Sequence, residues 1–194
     1  MKTLILVGAP PACGKNYASE RICAEIKNIA YFDKDDLGDL LKRCFTLCGQ
    51  ERNMDGEFYL HNLRSVEYET LFRLAFSALR FEEFVLVNAP FLKEVKDIEY
   101  MRALKARANE NGAKLVLVWV TAPKEVCYQR MKARNADRDK GKLAQWSAYI
   151  NGVDYSVPNH LKAYNAVDDL FVFDNENEIV ATQSLQKLTA ILKE

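Results

Sequence analysis

Leu4-Ile5-Leu6-Val7-Gly8-Ala9-Pro10-Pro11-Ala12-Cys13-Gly14-Lys15 is the stretch that decides the fold. Its four leading apolar residues read as a strand buried on both faces. They run straight into G-x-x-x-x-G-K, and a helical pattern follows at once, with Ala18, Ile22 and Ile26 at a spacing of four. Strand, glycine loop and helix in that order make a cradle for phosphate oxygens. The glycines let backbone N–H groups turn inward, the helix N-terminus adds its positive end, and Lys15 reaches the terminal phosphates. Gly8, Ala9, Pro10, Pro11, Ala12, Cys13, Gly14, Lys15 and Asn16 are therefore the expected nucleotide-binding residues. A plain glycine-rich strand-to-helix turn is the competing reading. Asn16 departs from the pattern, because the residue after the lysine is ordinarily Ser or Thr, whose hydroxyl binds Mg²⁺. An amide oxygen also ligates a hard cation, with a different approach geometry. Nucleotide binding survives that departure better than catalysis does.

Outward from this stretch the alternation continues. Near-continuous apolar runs recur at Ile29 to Phe32, Phe84 to Val87, Leu115 to Val120 and Leu170 to Phe173. Helical repeats lie between them: Val95, Ile98, Met101, Leu104 and Ala108, then Val126, Arg130 and Arg134, and finally Leu185, Leu188 and Leu192. Asn111-Gly112 closes one helix and Pro123 opens the next. The pattern predicts an α/β fold with a doubly wound, five-stranded parallel sheet. At 194 residues the chain reads as one domain spanning 1–194. About fifty residues separate the second and third runs, too many for one crossover helix. They predict a helical insertion over about 37–83, with helices near Leu37 to Cys48 and Glu57 to Arg80 and Asp55 as an N-cap. Such an insertion covers the carboxyl ends of the strands, where open α/β sheets bind ligands.

Composition narrows the function classes. With 49% hydrophobic and 28% charged residues, the chain can bury a core and is not disordered. Lys plus Arg equals Asp plus Glu at 27 each, so bulk electrostatic binding of nucleic acid is not expected. Any bound anion must be captured locally. The first apolar run is broken by Gly8, Pro10 and Pro11, so it does not read as a secretory signal, and no run is long enough to span a membrane. Cys13, Cys23, Cys44, Cys48 and Cys127 follow no ligand spacing and read as reduced thiols, which points to a cytoplasmic protein. His61 and His160 have no partners at ligand spacing and read as structural.

Tyr31-Phe32-Asp33-Lys34-Asp35-Asp36-Leu37 places three carboxylates at the end of the second strand, beside the glycine loop. Phosphoryl transfer needs one carboxylate there to accept a hydroxyl proton, and another can support the metal. The plain alternative has Asp33 capping a helix and Asp35 and Asp36 balancing its dipole. Farther on, Arg130, Arg134 and Arg138 recur at a spacing of four and share one helix face. Guanidinium groups meet phosphate bidentately, although a solvated face paired with Asp137 and Asp139 also explains them.

On Gly8 to Lys15, the Asp33-Lys34-Asp35-Asp36 turn, and Arg130 with Arg134, the chain resembles the P-loop kinase-like ATPases. These include polynucleotide 5′-hydroxyl kinases, zeta-type toxins, chloramphenicol phosphotransferase and gluconate kinases. The resemblance covers roughly residues 2–140 and is specific to superfamily rather than to substrate. It implies a three-layer P-loop NTPase sandwich that uses ATP and Mg²⁺. Asp35 matches the acceptor-activating base, Asn16 and Asp33 face the metal, and a lid over about 130–158 brings Arg130 and Arg134 onto the triphosphate. Lys15 and these residues form the implied catalytic set. Asn88 stands where relatives often carry an Asp, and Asp174 to Asn177 where they often hold adenine, although turn composition explains the latter equally well. Polynucleotide kinases carry an Arg three residues beyond the base. Here that residue is Gly38, so a polynucleotide acceptor is not expected.

The leading expectation is an ATP-binding phosphotransferase that moves the γ-phosphoryl group to a hydroxyl of a small-molecule acceptor. One alternative is a nucleotide-binding module or weak ATPase, which Asn16 and Asn88 favour. Others are a zeta-like toxin and a nucleoside-monophosphate kinase, the latter with Arg43, Arg52, Arg64, Arg73 or Arg80 meeting a second phosphate. No motif within 37–83 names the acceptor, and none names an oligomeric state.

Overall fold

The five apolar runs form one parallel sheet in the order β2-β3-β1-β4-β5. The structure, a computed structural model, describes residues 2–193, apart from the side chains of Asp137, Arg138 and Lys193. The strands are β1 (Lys2–Gly8), β2 (Ile29–Asp33), β3 (Phe84–Asn88), β4 (Ala113–Thr121) and β5 (Asp169–Asp174). Leu4, Ile5, Leu6 and Val7 are all fully buried, as a central parallel strand covered on both faces requires.

Two cores sandwich the sheet. On one face α1 (Lys15–Glu25), α5 (Lys124–Arg134) and α9 (Glu178–Lys193) bring Ala18, Ile22, Cys127, Leu185 and Leu188 onto Ile5, Val7 and Val118. On the other, α3 (Arg64–Ala78) and α4 (Ile98–Glu110) bring Phe72, Ala75, Met101 and Leu104 onto Leu4, Leu6 and Val87. This is the three-layer α/β sandwich the pattern implies. Among the described residues no helix is long and apolar enough to cross a membrane.

Strand register sets the position of the site. Val7 and Asp33 both pair with Asn88, and Gly8 pairs with Trp119. Adjacent strands therefore end together, and the side chains at their carboxyl ends share one edge.

The insertion consists of α2 (Gly38–Leu47) and α3, joined through a π turn at Tyr59–Leu63. The helical stretch begins at 57 and ends at Ala78, slightly inside the expected limits. Asp55 is not its N-cap. Asn53 instead accepts from the Asp55 N–H at 3.0 Å, and Gly56 precedes the first helical residue with its carbonyl bonded to Leu60 N–H at 3.1 Å. Charged pairs anchor the insertion to the sheet: Lys34 meets Glu67 at 2.8 Å and Arg64 meets Glu94 at 2.5 Å.

The lid differs from its expected form in two respects. The buried face of α5 carries Cys127 and Met131, one residue out of phase with the Val126, Arg130 and Arg134 series. That helix stops at Arg134, because Asn135 turns left-handed at φ 46°. Arg138 consequently falls on α6 (Asp137–Ala144) rather than on the same face, and its side chain lies outside the described residues. The stretch 141–158, which has few apolar repeats, carries the end of α6 and α7 (Trp146–Gly152). Aromatic contacts substitute for an apolar stripe there: Trp146 stacks with Tyr128 at 4.9 Å and with Tyr149 at 5.7 Å between centroids. A single turn, α8 (His160–Ala163), leads into β5.

Candidate functional site

The glycine loop between β1 and α1 holds its shape through positions where the backbone turns left-handed. Ala12 has φ 63° and Gly14 φ 88°. A side chain at Gly14 would be strained, and its Cβ would stand 2.1 Å from Asn175 Nδ2. Gly8 is required for a different reason, since a Cβ there would meet the Trp119 ring at 2.8 Å.

Arg130 and Asn175 clamp the loop from outside. The Cys13 carbonyl accepts from Arg130 Nη1 at 3.2 Å and from Asn175 Nδ2 at 2.8 Å, while Arg130 Nη2 donates to the Asn175 carbonyl at 2.7 Å. A trans peptide sets its N–H opposite its carbonyl, so pinning Cys13 O outward turns the Gly14 N–H the other way. Tyr155 of the lid donates to the Pro11 carbonyl at 3.2 Å. Cys13 and Cys127 are both buried with sulfurs 3.7 Å apart, and the contact with Cys127, together with burial, pushes the Cys13 thiol up.

At the strand ends a polar network joins the expected residues. Lys15 Nζ donates to Asn88 Oδ1 at 2.6 Å and to Asn16 Oδ1 at 3.1 Å. Asn88 Nδ2 donates to Asp33 Oδ2 at 2.6 Å and to Asn16 Oδ1 at 3.1 Å. Tyr31 adds a hydrogen bond to Asp33 at 2.7 Å, and Ser19 one to Asn88 at 3.2 Å. Burial alone would raise the Asp33 pKa. The Tyr31 hydroxyl, the Asp35 N–H and the Lys15 charge outweigh it and hold the carboxyl below the usual range. Asp33 also caps the turn, accepting from Asp35 N–H at 2.9 Å, so its capping and site readings coexist. Asp35 and Asp36 are exposed on that turn.

Hard divalent cations take oxygen ligands, and Mg²⁺ is commonly held by one or two carboxylates with waters and phosphate oxygens. Asp33, ionised, and Asn16, through its amide oxygen, fit that chemistry. Asn88 presents its NH₂ group to both of them, so it is not an oxygen ligand in this arrangement. Among the described residues no group of three or more His, Cys, Asp or Glu is placed to hold a metal.

Arg134 pairs with the buried Asp139 at 2.7 Å. Arg130 is engaged with the Cys13 and Asn175 carbonyls. Arg52 of the insertion comes within 3.7 Å of where a Cβ on Gly38 would stand, bringing a guanidinium to a turn that carries none there in sequence.

A cavity of about 340 Å³ opens between Pro11 and Trp119, the Leu92-to-Lys96 segment, Asp55 of the insertion, and Lys142, Tyr149 and Asp154 of the lid. Asp35 and Lys15 do not line it. No role at the glycine loop or strand ends is read from sequence for Trp119, Tyr149 or Tyr31, and Asn175 is read only within the Asp174 to Asn177 stretch. Trp119 falls within the apolar run Leu115 to Val120, and polar turn composition explains the stretch around Asn175 equally well.

Residues 4–154 match the family described as AAA domain. A search of curated proteins found no match. Several solved structures share the fold. A shikimate kinase from Bacteroides thetaiotaomicron superposes with a TM-score of 0.55 at 15% identity, covering 99% of each chain. A sugar kinase from Janibacter sp. gives 0.58 at 14% identity, covering 100% of this chain and 95% of that one. Kti12 from Chaetomium thermophilum, solved with ADP-AlF3, gives 0.57 at 14% identity, with coverages of 97% and 98%.

Proposed function

The chain belongs to the AAA domain family and has the P-loop kinase-like fold, and on that premise we propose that it transfers the γ-phosphoryl group of ATP to a hydroxyl of a small-molecule acceptor. The observation that carries this reading is the Lys15–Asn88–Asp33–Asn16 network at the strand ends, directly after a loop whose carbonyl is clamped outward. A phosphate group in that loop would meet backbone N–H groups, the start of α1 and the Lys15 ammonium together.

Each residue then has a defined task. Lys15 neutralises charge on the terminal phosphates and gives up its bond to Asn88 in doing so. Asn16 and Asp33 would hold Mg²⁺, which supplies further neutralisation of the phosphate oxygens when bound. Asp35 takes the proton of the acceptor hydroxyl as that oxygen bonds to phosphorus and the bond to the ADP oxygen breaks. Arg130 stiffens the loop from behind. Arg134 would have to leave Asp139 to reach a phosphate.

A specific observation favours a second reading. The amides of Asn16 and Asn88, themselves joined at 3.1 Å, both accept from Lys15, at 3.1 and 2.6 Å, and a network of this kind suits a nucleotide-binding module with weak hydrolysis. Calorimetric ATP binding beside ATP consumption, measured without acceptor and then across sugars, nucleosides and antibiotics, separates the two readings. Binding with acceptor-dependent consumption supports transfer. Binding with equal, slow consumption throughout supports the module.

A further inference from the structure

Asn88 places its amide between the two side chains that would hold a divalent cation. We propose that this amide makes nucleotide binding nearly independent of the cation, because its N–H groups already occupy Asn16 Oδ1 and Asp33 Oδ2, the oxygens a cation would have to win. This rests on the phosphate-loop reading above and concerns affinity for the nucleotide, not the transfer step.

The amide has one orientation. Asn88 ends β3 fully buried, so solvent does not replace a contact that it gives up. Its Oδ1 accepts from Lys15 Nζ at 2.6 Å and from Ser19 Oγ at 3.2 Å, and Ser19 is itself buried on α1. An ammonium has protons to give and no lone pair to receive one, so only the amide oxygen can face Lys15. On the other side Nδ2 donates to Asp33 Oδ2 at 2.6 Å, while Tyr31 Oη at 2.9 Å and Asn16 Oδ1 at 3.1 Å share its second proton. Turning the amide over would set its NH₂ against the ammonium and its oxygen against the carboxylate. Two charge-assisted contacts would become two repulsive ones.

Lone pairs set the consequence. A carbonyl or carboxylate oxygen accepts at two sites. Asp33 Oδ2 has both taken, by Tyr31 at 2.7 Å and Asn88 at 2.6 Å. Asn16 Oδ1 likewise faces two donors, Lys15 and Asn88, at 3.1 Å each. Asp33 Oδ1 accepts the Asp35 N–H at 2.9 Å, which caps the turn. When Lys15 turns to a phosphate, Asn16 gains one open site, and the Asn88 N–H still points at its oxygen. A cation can take Asn16 Oδ1 or Asp33 Oδ2 fully only by displacing buried hydrogen bonds, and each donor left unpaired there bears its desolvation cost. Mg²⁺ dehydrates reluctantly and keeps several waters. It therefore retains the phosphate and water oxygens it arrives with, and the protein gains little affinity from its presence. Asn88→Asp inverts this balance. It sets a second carboxylate oxygen where Nδ2 lies, 2.6 Å from Asp33 Oδ2, and two carboxylates that close need a cation or a shared proton between them.

The test is calorimetry of ATP binding by the full chain, in EDTA and in excess Mg²⁺. The two dissociation constants are expected to agree within about threefold. Because linkage is reciprocal, Mn²⁺ titrated into the protein–ATP mixture should bind protein-held ATP within about the same threefold of free ATP, read by the electron paramagnetic resonance of unbound Mn²⁺. Asn88→Asp is expected to bind ATP about tenfold or more tightly with Mg²⁺ than in EDTA. Asn88→Ala, which frees both oxygens without adding charge, should show a smaller gain in the same direction, above about threefold. If Asn88→Asp does not fold, Asn88→Ala and the parent chain decide. A gain from Mg²⁺ above about threefold in the parent overturns the proposal, and so does a folded variant whose Mg²⁺ dependence equals the parent's. ATP that binds only with Mg²⁺ leaves the phosphate-loop reading standing and removes this proposal alone. ATP that binds in neither buffer removes both.

Discussion

Lys15 Nζ lies 2.6 Å from Asn88 Oδ1, bridging the first residue of α1 to the last residue of β3. The register Val7↔Asn88 puts β3's end beside the glycine loop, and the helix start puts Lys15 at its mouth. The Asn88 amide oxygen thus helps to hold the lysine in place.

Lys15→Ala removes the loop's cationic side chain. One charge-assisted contact is worth about 1.5–3 kcal/mol, so ATP affinity should fall roughly tenfold to a hundredfold by calorimetry. Unchanged affinity in a folded variant would remove the phosphate-loop assignment.

On the proposed reading Asp35, on the turn after β2, takes the acceptor proton, and Asp55 lies on the wall of the neighbouring cavity. Asp35→Asn is expected to lower transfer by ~10²–10⁴ with ATP affinity within a few-fold, and Asp55→Asn to act mainly on acceptor KM. Reversed effects in steady-state kinetics would move the base to Asp55.

Arg130→Ala releases the Cys13 carbonyl from one of its two donors. ATP affinity should drop about threefold to tenfold even without acceptor, because the lost contact preorganises the loop. An effect confined to turnover would instead show that Arg130 acts on the transferring phosphate.

Arg134→Ala leaves the Asp139 carboxylate, 1% exposed, without its cation. A fully buried pair would cost 3–5 kcal/mol when broken; Arg134 is 42% exposed, so a loss of about 1–3 kcal/mol in urea unfolding is expected. A stability change near zero would leave Arg134 free for the lid role.

Asp33 gives the fold a definite acid limb. Its carboxyl is held below the ordinary value of 3.8, so the unfolded chain takes up this proton first as pH falls. The stabilisation is complete above that value and is lost as pH drops through the lower folded one. Asp33→Asn should therefore lower stability at neutral pH, and the gap to the parent should narrow below about 3.8 in unfolding titrations. A gap constant across that range would mean that Asp33 does not carry the linkage.

What the sequence determined by itself is local in origin. Buried parallel strands need unbroken apolar runs, so Leu4 to Val7 and Leu115 to Val120 announce themselves within a few residues. The glycine loop is equally self-contained, because Gly8 and Gly14 answer backbone demands that arise within one turn. Asp33 and Asn88 were visible as polar residues at strand ends, and Asn16 as the residue after the lysine of the glycine loop. Their joining was not, since Lys15 and Asn88 stand 73 residues apart and meet only through β1–β3 pairing. Tertiary structure alone decided the rest. Arg130 and Asn175 reach Cys13 across 117 and 162 residues. The lid helices α6 and α7 lack a readable stripe, because α7 is held by aromatic stacking and α6 is tied to α5 by the Arg134–Asp139 pair. Trp119 reads in sequence as one more buried strand residue. That its ring closes on Gly8 becomes evident only through the β1–β4 pairing. Periodicity reports which face of an element is buried; which partner it meets there depends on how distant elements dock.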